Sequence, residues 1–198
     1  MRQAIPLLVV VVVAAGCLGG SGPMVVSGSP ASIDDGALAN AGFERVAAAN
    51  HTLNTTVHAS VSGDVQLNAD RAVSATTPVA VYRGGDSVVA VVSTPAIKPI
   101  ENQPIYRDPL ATLDVASQVN YAQSTYEVAD LQATGSLNRT VLGNETTVRT
   151  YAGSAGGTDV TVRVARVRHH GDFVTVIAVE PAGADGGELD ALLDGLEH

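Results

Sequence analysis

Ser87-Val88-Val89-Ala90-Val91-Val92-Ser93-Thr94 is the stretch that decides the fold, since its centre is an unbroken apolar run. Phe173 to Val179 has the same character. Successive side chains of a strand point to opposite faces of the sheet, so a strand that is apolar throughout is covered on both sides. The first stretch therefore predicts a central strand with a layer on each face of the sheet.

Further strands are predicted on either side of this centre. Residues 56–63 alternate between apolar and polar side chains, which indicates a half-buried strand. After a turn at Gly63-Asp64, residues 65–69 begin a second strand, and residues 79–82 continue it or follow it before a hairpin loop at residues 83–86. From Tyr126 onward, four segments separated by glycine-containing turns predict an antiparallel meander. These segments are residues 127–137, 146–151, 159–167 and 173–179.

Three segments have the apolar spacing of helices. They are residues 34–49, 110–119 and 188–196. The first begins at the capping pair Asp34-Asp35 and is weakened at Gly42, and the second follows an Asp108-Pro109 entry after a proline-rich connection. Segregated helices and strands predict an α+β domain over residues 32–198, with one antiparallel β-sheet of about six to seven strands and helices packed on it.

The start of the chain has the layout of a secretory signal. Arg2 supplies a positive charge, residues 7–15 are apolar, and Ala15-Gly16-Cys17 resembles the lipobox after which a lipoprotein signal is cut. The apolar run is shorter than the ~20 residues that span a bilayer as a helix. We therefore expect a signal peptide over residues 1–16 and a flexible, lipidated tether over residues 17–31.

Cys17 is the only cysteine of the 198 residues, and it stands where a lipobox requires one. This favours lipid attachment over the alternative, an ordinary signal with a chance cysteine. The expected location is the outer face of the cell membrane, where two acyl chains on Cys17 would hold the protein stably. With a single cysteine, no internal disulfide can form.

The charge balance is strongly acidic. The chain has 11 Lys and Arg against 20 Asp and Glu, and its formal charge of -9 becomes -10 when Arg2 leaves with the signal. Such a surface repels nucleic acids and anionic membranes, so nucleic acid is excluded as a partner. Lys98 is the only lysine. An Asp-rich, Lys-poor composition favours a halophilic source, and a GC-rich coding sequence is the alternative.

Several short motifs together resemble a family of halobacterial lipoproteins grouped as a domain of unknown function. They are the lipobox start, Gly42-Phe43-Glu44, Val92-Ser93-Thr94-Pro95-Ala96, Asp108-Pro109-Leu110, Val141-Leu142-Gly143 before Thr146-Thr147-Val148, and Gly195-Leu196-Glu197-His198. The resemblance implies a membrane-tethered protein of very salty habitats and implies no activity. In layout the chain is also similar to the Mog1/PsbP-like single-sheet domains.

The sequence contains no nucleophile elbow, zinc-protease helix, phosphate-binding loop or dinucleotide fingerprint. We therefore expect no catalytic residue, no metal and no cofactor. The carboxylates near the C-terminal end of the chain predict a solvated acidic face rather than a calcium site, because their spacing does not match a calcium loop. They are Asp185, Glu188, Asp190 and Asp194.

The histidines are the remaining candidates for chemistry. His169-His170 is a pair, but adjacent side chains on a strand point to opposite faces, so we expect a solvated strand end and not a chelate. His51 and His58 are expected at the surface, and His198 is expected to be mobile.

Four Asn-x-Thr sequons predict N-glycosylation in surface segments, with some of the four used. Their asparagines are Asn50, Asn54, Asn138 and Asn144.

The first functional hypothesis is a non-enzymatic binding or accessory module of the envelope. Its partners would be the membrane, through the lipid on Cys17, and an unknown envelope protein or small ligand. The second is a lipid-anchored, hydrolase-like enzyme with an unrecognised site around His58 or His169. Binding of a solute for import is a third, weakened because two-lobed solute receptors need a much longer chain.

Overall fold

The computed structural model describes residues 22–62, 66–184 and 186–198, where ten strands and three α-helices follow one another. The strands are β1 Met24–Ser27, β2 Ser32–Ile33, β3 Glu44–Val61, β4 Leu67–Gly84, β5 Ser87–Pro95, β6 Val128–Val141, β7 Asn144–Ala155, β8 Thr158–His169, β9 Asp172–Pro181 and β10 Leu196–Glu197. The helices are α1 Asp35–Ala41, α2 Val115–Ala122 and α3 Gly187–Asp194, and a 3₁₀ helix spans Pro109–Thr112. The predicted signal peptide, Cys17 and the Gly63-Asp64 turn lie outside the described residues.

Eight strands form one sheet in the order β1-β4-β5-β9-β8-β7-β6, and β3 pairs with β4 along nearly the whole of β4, from Leu67 to Arg83. β1 and β5 pair with shorter parts of β4, at residues 73–76 and 79–84. Every pairing is antiparallel except that of β1 with β4, which is parallel. The expected antiparallel sheet of six to seven strands is thus corrected to a mixed sheet of eight. A second, two-stranded sheet joins β10 to β2.

The extra strand β1 lies inside the segment predicted to be a flexible tether. Its residues run beside β4, from Met24 opposite Val73 to Ser27 opposite Thr76. The chain then crosses β5 so closely that a Cβ on Gly28 would lie 2.8 Å from the carbonyl oxygen of Ser93. The part of the predicted tether from residue 24 onward therefore belongs to the folded domain.

The central position of β5 is confirmed. It lies between β4 and β9, and its side chains are buried from Val88 onward. Val89 and Val91 face one apolar cluster, which includes residues of α1 and α3, whereas Ala90 and Val92 face another, which includes α2. Alternation along one strand thus builds two cores, one on each face of the sheet.

The helix predicted over residues 34–49 is wrong beyond Gly42. Asp34 Oδ1 accepts hydrogen bonds from the backbone N–H groups of Gly36 (2.9 Å) and Ala37 (3.1 Å), which caps α1 as expected. Gly42, with φ of 71°, ends the helix in a left-handed conformation, and β3 begins two residues later. Residues 44–49 are alanine-rich, but their pairing with β4 overrides that helical preference.

The other two predicted helices are confirmed with changed bounds. The segment after Asp108 divides into the 3₁₀ helix and α2, and the last helix ends at Asp194 because Leu196 pairs with Ile33. No helix among the described residues is both long and apolar enough to cross a membrane.

The predicted meander is confirmed as β6 to β9, joined by three two-residue turns. Both turn residues have positive φ in each case, at Leu142-Gly143, Gly156-Gly157 and His170-Gly171. This is the type I′ geometry that matches the right-handed twist of a hairpin. The third of these turns positions the candidate functional site.

Candidate metal centre

Three imidazoles meet at one end of the central strands. His169 is the last residue of β8, His170 is in the turn to β9, and His198 follows β10. One ring nitrogen from each lies within 4.8 Å of the others. We call this set the histidine cluster.

The prediction that His169 and His170 point to opposite faces is wrong. That rule holds for residues inside a strand, whereas His170 has left, with φ of 43°, the extended conformation that separates neighbouring side chains. The two rings lie 3.8 Å apart between centroids, at 36° to each other. Glycine or asparagine usually takes this first turn position, so a histidine there carries a conformational cost of about 1–2 kcal/mol.

The expected mobility of His198 is also contradicted. His198 directly follows β10, which pairs with β2, and the His198 side chain is only 1% exposed. His198 Nε2 lies 3.2 Å from Asp172 Oδ2 and 3.5 Å from Ser93 Oγ. The imidazole is therefore enclosed by the hairpin and the central strand.

Asp172 orients this ring. Its side chain is 8% exposed, and Oδ2 also accepts a hydrogen bond from the backbone N–H of Ser29 at 2.8 Å. Because a carboxylate accepts and does not donate, it selects the His198 tautomer with the proton on Nε2. The lone pair of His198 is then on Nδ1, which faces His169.

The separation of the facing nitrogens fits a shared ion. Nδ1 of His169 and Nδ1 of His198 are 3.2 Å apart. Two nitrogens bound to one tetrahedral zinc ion at ~2.0–2.1 Å stand about 3.3 Å from each other. A carboxylate that holds the far nitrogen of a ligating histidine is a recurrent feature of metal sites. Asp172 is in that position.

Burial lowers the pKa of His169, and the neighbouring His170 and His198 imidazoles lower it further. The neutral imidazole, which is the form that binds metals, is thereby favoured. Three imidazoles suit borderline ions such as Zn²⁺, Ni²⁺ and Cu²⁺, whereas Mg²⁺ and Ca²⁺ prefer oxygen ligands. Three protein ligands also leave a coordination position open.

The other two histidines lie outside the cluster. His58 is exposed, as expected, and its Nδ1 lies 2.7 Å from Asp70 Oδ1. His51 is half-buried, with its ring edge-on to Tyr121 at 5.3 Å. Within the part of the chain that the structure describes, neither is grouped with two further ligating side chains.

A buried ion pair that the sequence did not indicate lies on the sheet face that carries α2. Asp108 Oδ1 accepts hydrogen bonds from Thr94 Oγ1 (2.5 Å) and Leu110 N (2.9 Å), and Oδ2 lies 2.8 Å from Arg166 Nε. The Nε–H group is directed at Thr175 Oγ1 (3.1 Å), so the contact with Asp108 is a charge contact without an aligned hydrogen bond. Burial raises the pKa of Asp108, and the Arg166 charge opposes that rise. This pair fixes the proline-rich connection to the sheet.

The other residues that the sequence singled out lie at the surface wherever the structure describes them. The four sequon asparagines, Asn50, Asn54, Asn138 and Asn144, are all exposed. The acidic residues of α3 are partly paired, since Asp190 and Asp194 both contact Arg139. Asp185 lies outside the described residues.

Comparison with known proteins shows that one family model matches most of the described chain. Residues 30–197 match the family model described as a domain of unknown function, DUF6517. Among solved structures, the chain is similar to the solution structure of cyanobacterial PsbP (CyanoP) from Synechocystis sp. PCC 6803. The sequence identity is 14% and the TM-score 0.35, over 92% of this chain and 99% of that chain. No curated protein matches.

Proposed function

Since the chain belongs to DUF6517, a family whose description names no activity, we propose a function from its own residues. The proposed function is that of a lipid-anchored protein on the outer face of the cell membrane. Its domain binds a divalent transition-metal ion without catalysing a reaction. The observation that carries the metal proposal is the meeting of His169, His170 and His198 at one end of the sheet. The lipobox-like start supports the location.

The cluster has the features of a binding site as well as the residue types. His198 is enclosed, its tautomer is selected by Asp172, and its unprotonated Nδ1 faces His169 Nδ1 at a distance suited to one ion. His170 is exposed, so an ion could enter from solvent on its side. An ion held there would also link the β8–β9 hairpin to β10 and so stabilise the domain.

Metal titration tests this proposal on the mature chain, which begins at Cys17. We expect one Zn²⁺, Ni²⁺ or Cu²⁺ per chain by calorimetry, and no comparable binding of Mg²⁺ or Ca²⁺. His198→Ala should weaken binding at least 100-fold. His58→Ala is the matched control, because that histidine is exposed and outside the cluster, and it should leave affinity unchanged. Equal affinity in both variants would refute the site.

A lipid-anchored, hydrolase-like enzyme is the alternative, and it is favoured by the number of histidines, since three protein ligands would leave one position of a bound zinc ion open. Catalytic zinc sites commonly keep three protein ligands and a water molecule, whose pKa the ion lowers to about 7. Assays with ester and phosphoester substrates, with and without Zn²⁺, discriminate the two functions. Metal-dependent turnover that His169→Ala removes would favour the enzyme, and metal binding without turnover would favour the binding module.

The proposed location has its own test. In a secreting host, Cys17→Ser should release the protein from the membrane fraction or leave its signal uncut, because the thiol is the site of lipid attachment. Ser21→Ala, a substitution four residues further along, serves as the control. A membrane-bound and correctly cut Cys17→Ser variant would exclude the lipid anchor.

A further inference from the structure

The two outermost strands of the large sheet are long. β3 has 18 residues and pairs with β4, and β6 has 14 residues and pairs with β7. Among the described residues, neither has a strand neighbour on its other side. Where such an edge is uncovered, it offers a row of backbone N–H and C=O groups to strands of other chains, which is a route to aggregation. On β3 the chain itself covers residues 55–58, where Arg107 Nε donates to the His58 carbonyl oxygen (3.0 Å) and Thr112 contacts Thr55.

The four sequons coincide with these two edges. Asn50 and Asn54 are in β3, Asn138 is in β6, and Asn144 is the first residue of β7, in the hairpin with β6. They are far apart in sequence, and it is the topology that assigns two to one edge and two to the other.

Three of the sequons expose both their asparagine and their threonine. The threonine two residues after the asparagine is exposed in each case, and all three asparagines are exposed as well. The pairs are Asn50 and Thr52, Asn54 and Thr56, and Asn138 and Thr140. Asn138 accepts a hydrogen bond from Thr147 through Oδ1 (3.0 Å), an arrangement that leaves Nδ2 free to react.

The fourth sequon differs. Thr146 is buried, and Asn144 Nδ2 donates a hydrogen bond to the carbonyl oxygen of Leu142 at 2.8 Å. The nitrogen that would accept the sugar is thus engaged in the β6–β7 turn. Asn144 is the poorer acceptor of the four.

We propose that Asn50, Asn54 and Asn138 carry N-linked glycans that shield the two edges of the sheet from strand addition by other chains. The proposal rests on the proposed location outside the membrane, where glycans are found. A branched, hydrated carbohydrate is too bulky to allow a second strand beside the residue that carries it. The glycans would act as charged and proline-containing edge residues do in other sheets.

The modification joins Nδ2 of asparagine to the anomeric carbon of a sugar. The sugar is supplied by a lipid-phosphate-linked oligosaccharide of the cell. As the Nδ2–C1 bond forms, the bond from C1 to the phosphate oxygen breaks, the lipid phosphate leaves, and the amide loses one proton. No oxidant or reductant takes part.

Mass spectrometry of the full chain, exported by a glycosylating, salt-adapted archaeal host and extracted from its membrane with detergent, gives the first readout. We expect carbohydrate mass on peptides that contain Asn50, Asn54 and Asn138, and less on the peptide with Asn144. An exported and cleaved chain without carbohydrate on the first three would overturn this proposal alone. An uncleaved chain retained in the cell would overturn the location and this proposal together.

Light scattering after gel filtration gives the second readout. The double variant Asn50→Gln/Asn54→Gln should double the apparent molar mass through pairing at β3, and adding Asn138→Gln should give longer assemblies through both edges. The matched control is Asn68→Gln/Asn102→Gln, since both asparagines are exposed and outside any sequon. Far-UV circular dichroism checks that each variant is folded. Glycan-free variants that remain monomeric like the control would overturn the shielding role.

Discussion

Asp172 shows how a residue outside the proposed ligand set can control it. Its carboxylate selects the His198 tautomer and is itself held by the Ser29 N–H group. We predict that Asp172→Asn weakens Zn²⁺ binding 10- to 100-fold, the usual effect of removing such an orienting partner. Calorimetry measures the change, with Asp70→Asn, which alters an exposed carboxylate beside His58, as control. Similar affinities in the two variants would show that Asp172 does not orient the ligand.

The buried carboxyl of Asp108 makes the free energy of unfolding depend on pH, and the direction of its pKa shift fixes the direction of that dependence. Burial raises its pKa in the folded chain above the value of ~3.9 expected in the unfolded chain. Its contribution to stability is therefore complete below about pH 4 and is lost as pH rises through the folded pKa. The free energy of unfolding of the wild type minus that of Asp108→Asn should fall between pH 4 and 8, measured by urea denaturation. A rise over this range would mean that the Arg166 charge outweighs burial.

For single residues, the sequence identified the side chains that could carry chemistry, but it did not predict which of them lie next to one another in space. The pairing of His169 with His170 was visible, but the rule for strands excluded their joint action, because the turn that reverses the rule depends on φ of His170. His198 could not be placed at all, since it reaches the cluster through the pairing of β10 with β2, far away in sequence. The hydrogen bond from the Asn144 amide to the Leu142 carbonyl likewise could not be predicted, because the sequon does not contain it.

Among the elements, the left-handed end of α1 at Gly42 contributes to the free energy of unfolding by an amount that can be measured. A Cβ at Gly42 would meet no atom within 4 Å, so the cost of Gly42→Ala comes from its positive φ alone. We predict a loss of about 1 kcal/mol in the free energy of unfolding. Gly135→Ala is the control, because that glycine is equally open and has no positive φ. Urea denaturation gives both values, and equal stabilities would show that Gly42 has no special role.

Element identities followed from local patterns, and errors arose where tertiary pairing prevailed. The apolar runs of β5 and β9 and the glycine turns of the meander were predictable, because burial and turn chemistry act locally. Residues 44–49 were not, since an alanine-rich segment forms a strand only when β4 lies beside it. β1 was missed for a related reason: four residues between glycines and prolines give little signal until their partner is known.

For the whole molecule, the acidic balance predicts a dependence on salt. With 20 acidic against 11 basic side chains, the folded chain repels itself, and ions screen this repulsion over ~10 Å at 0.1 M and ~3 Å at 1 M. We predict that the thermal unfolding midpoint rises by several degrees between 0.1 and 2 M KCl. Differential scanning calorimetry measures it. An unchanged midpoint, with full cooperativity at low salt, would argue against a halophilic protein.

The pairing of β1 with β4 also limits how far the domain could stand from a lipid attached at Cys17. If Cys17 carries lipid, only residues 18–23 separate it from the sheet, because Met24 is already paired. Seven residue steps reach at most about 25 Å. The lipid would then confine the domain to a thin layer above the bilayer. Ser29, only a few residues after β1, donates a hydrogen bond to Asp172, the carboxylate that orients His198. Any metal donor or acceptor that the cluster serves would have to be met within that layer, in the same membrane or directly against its surface.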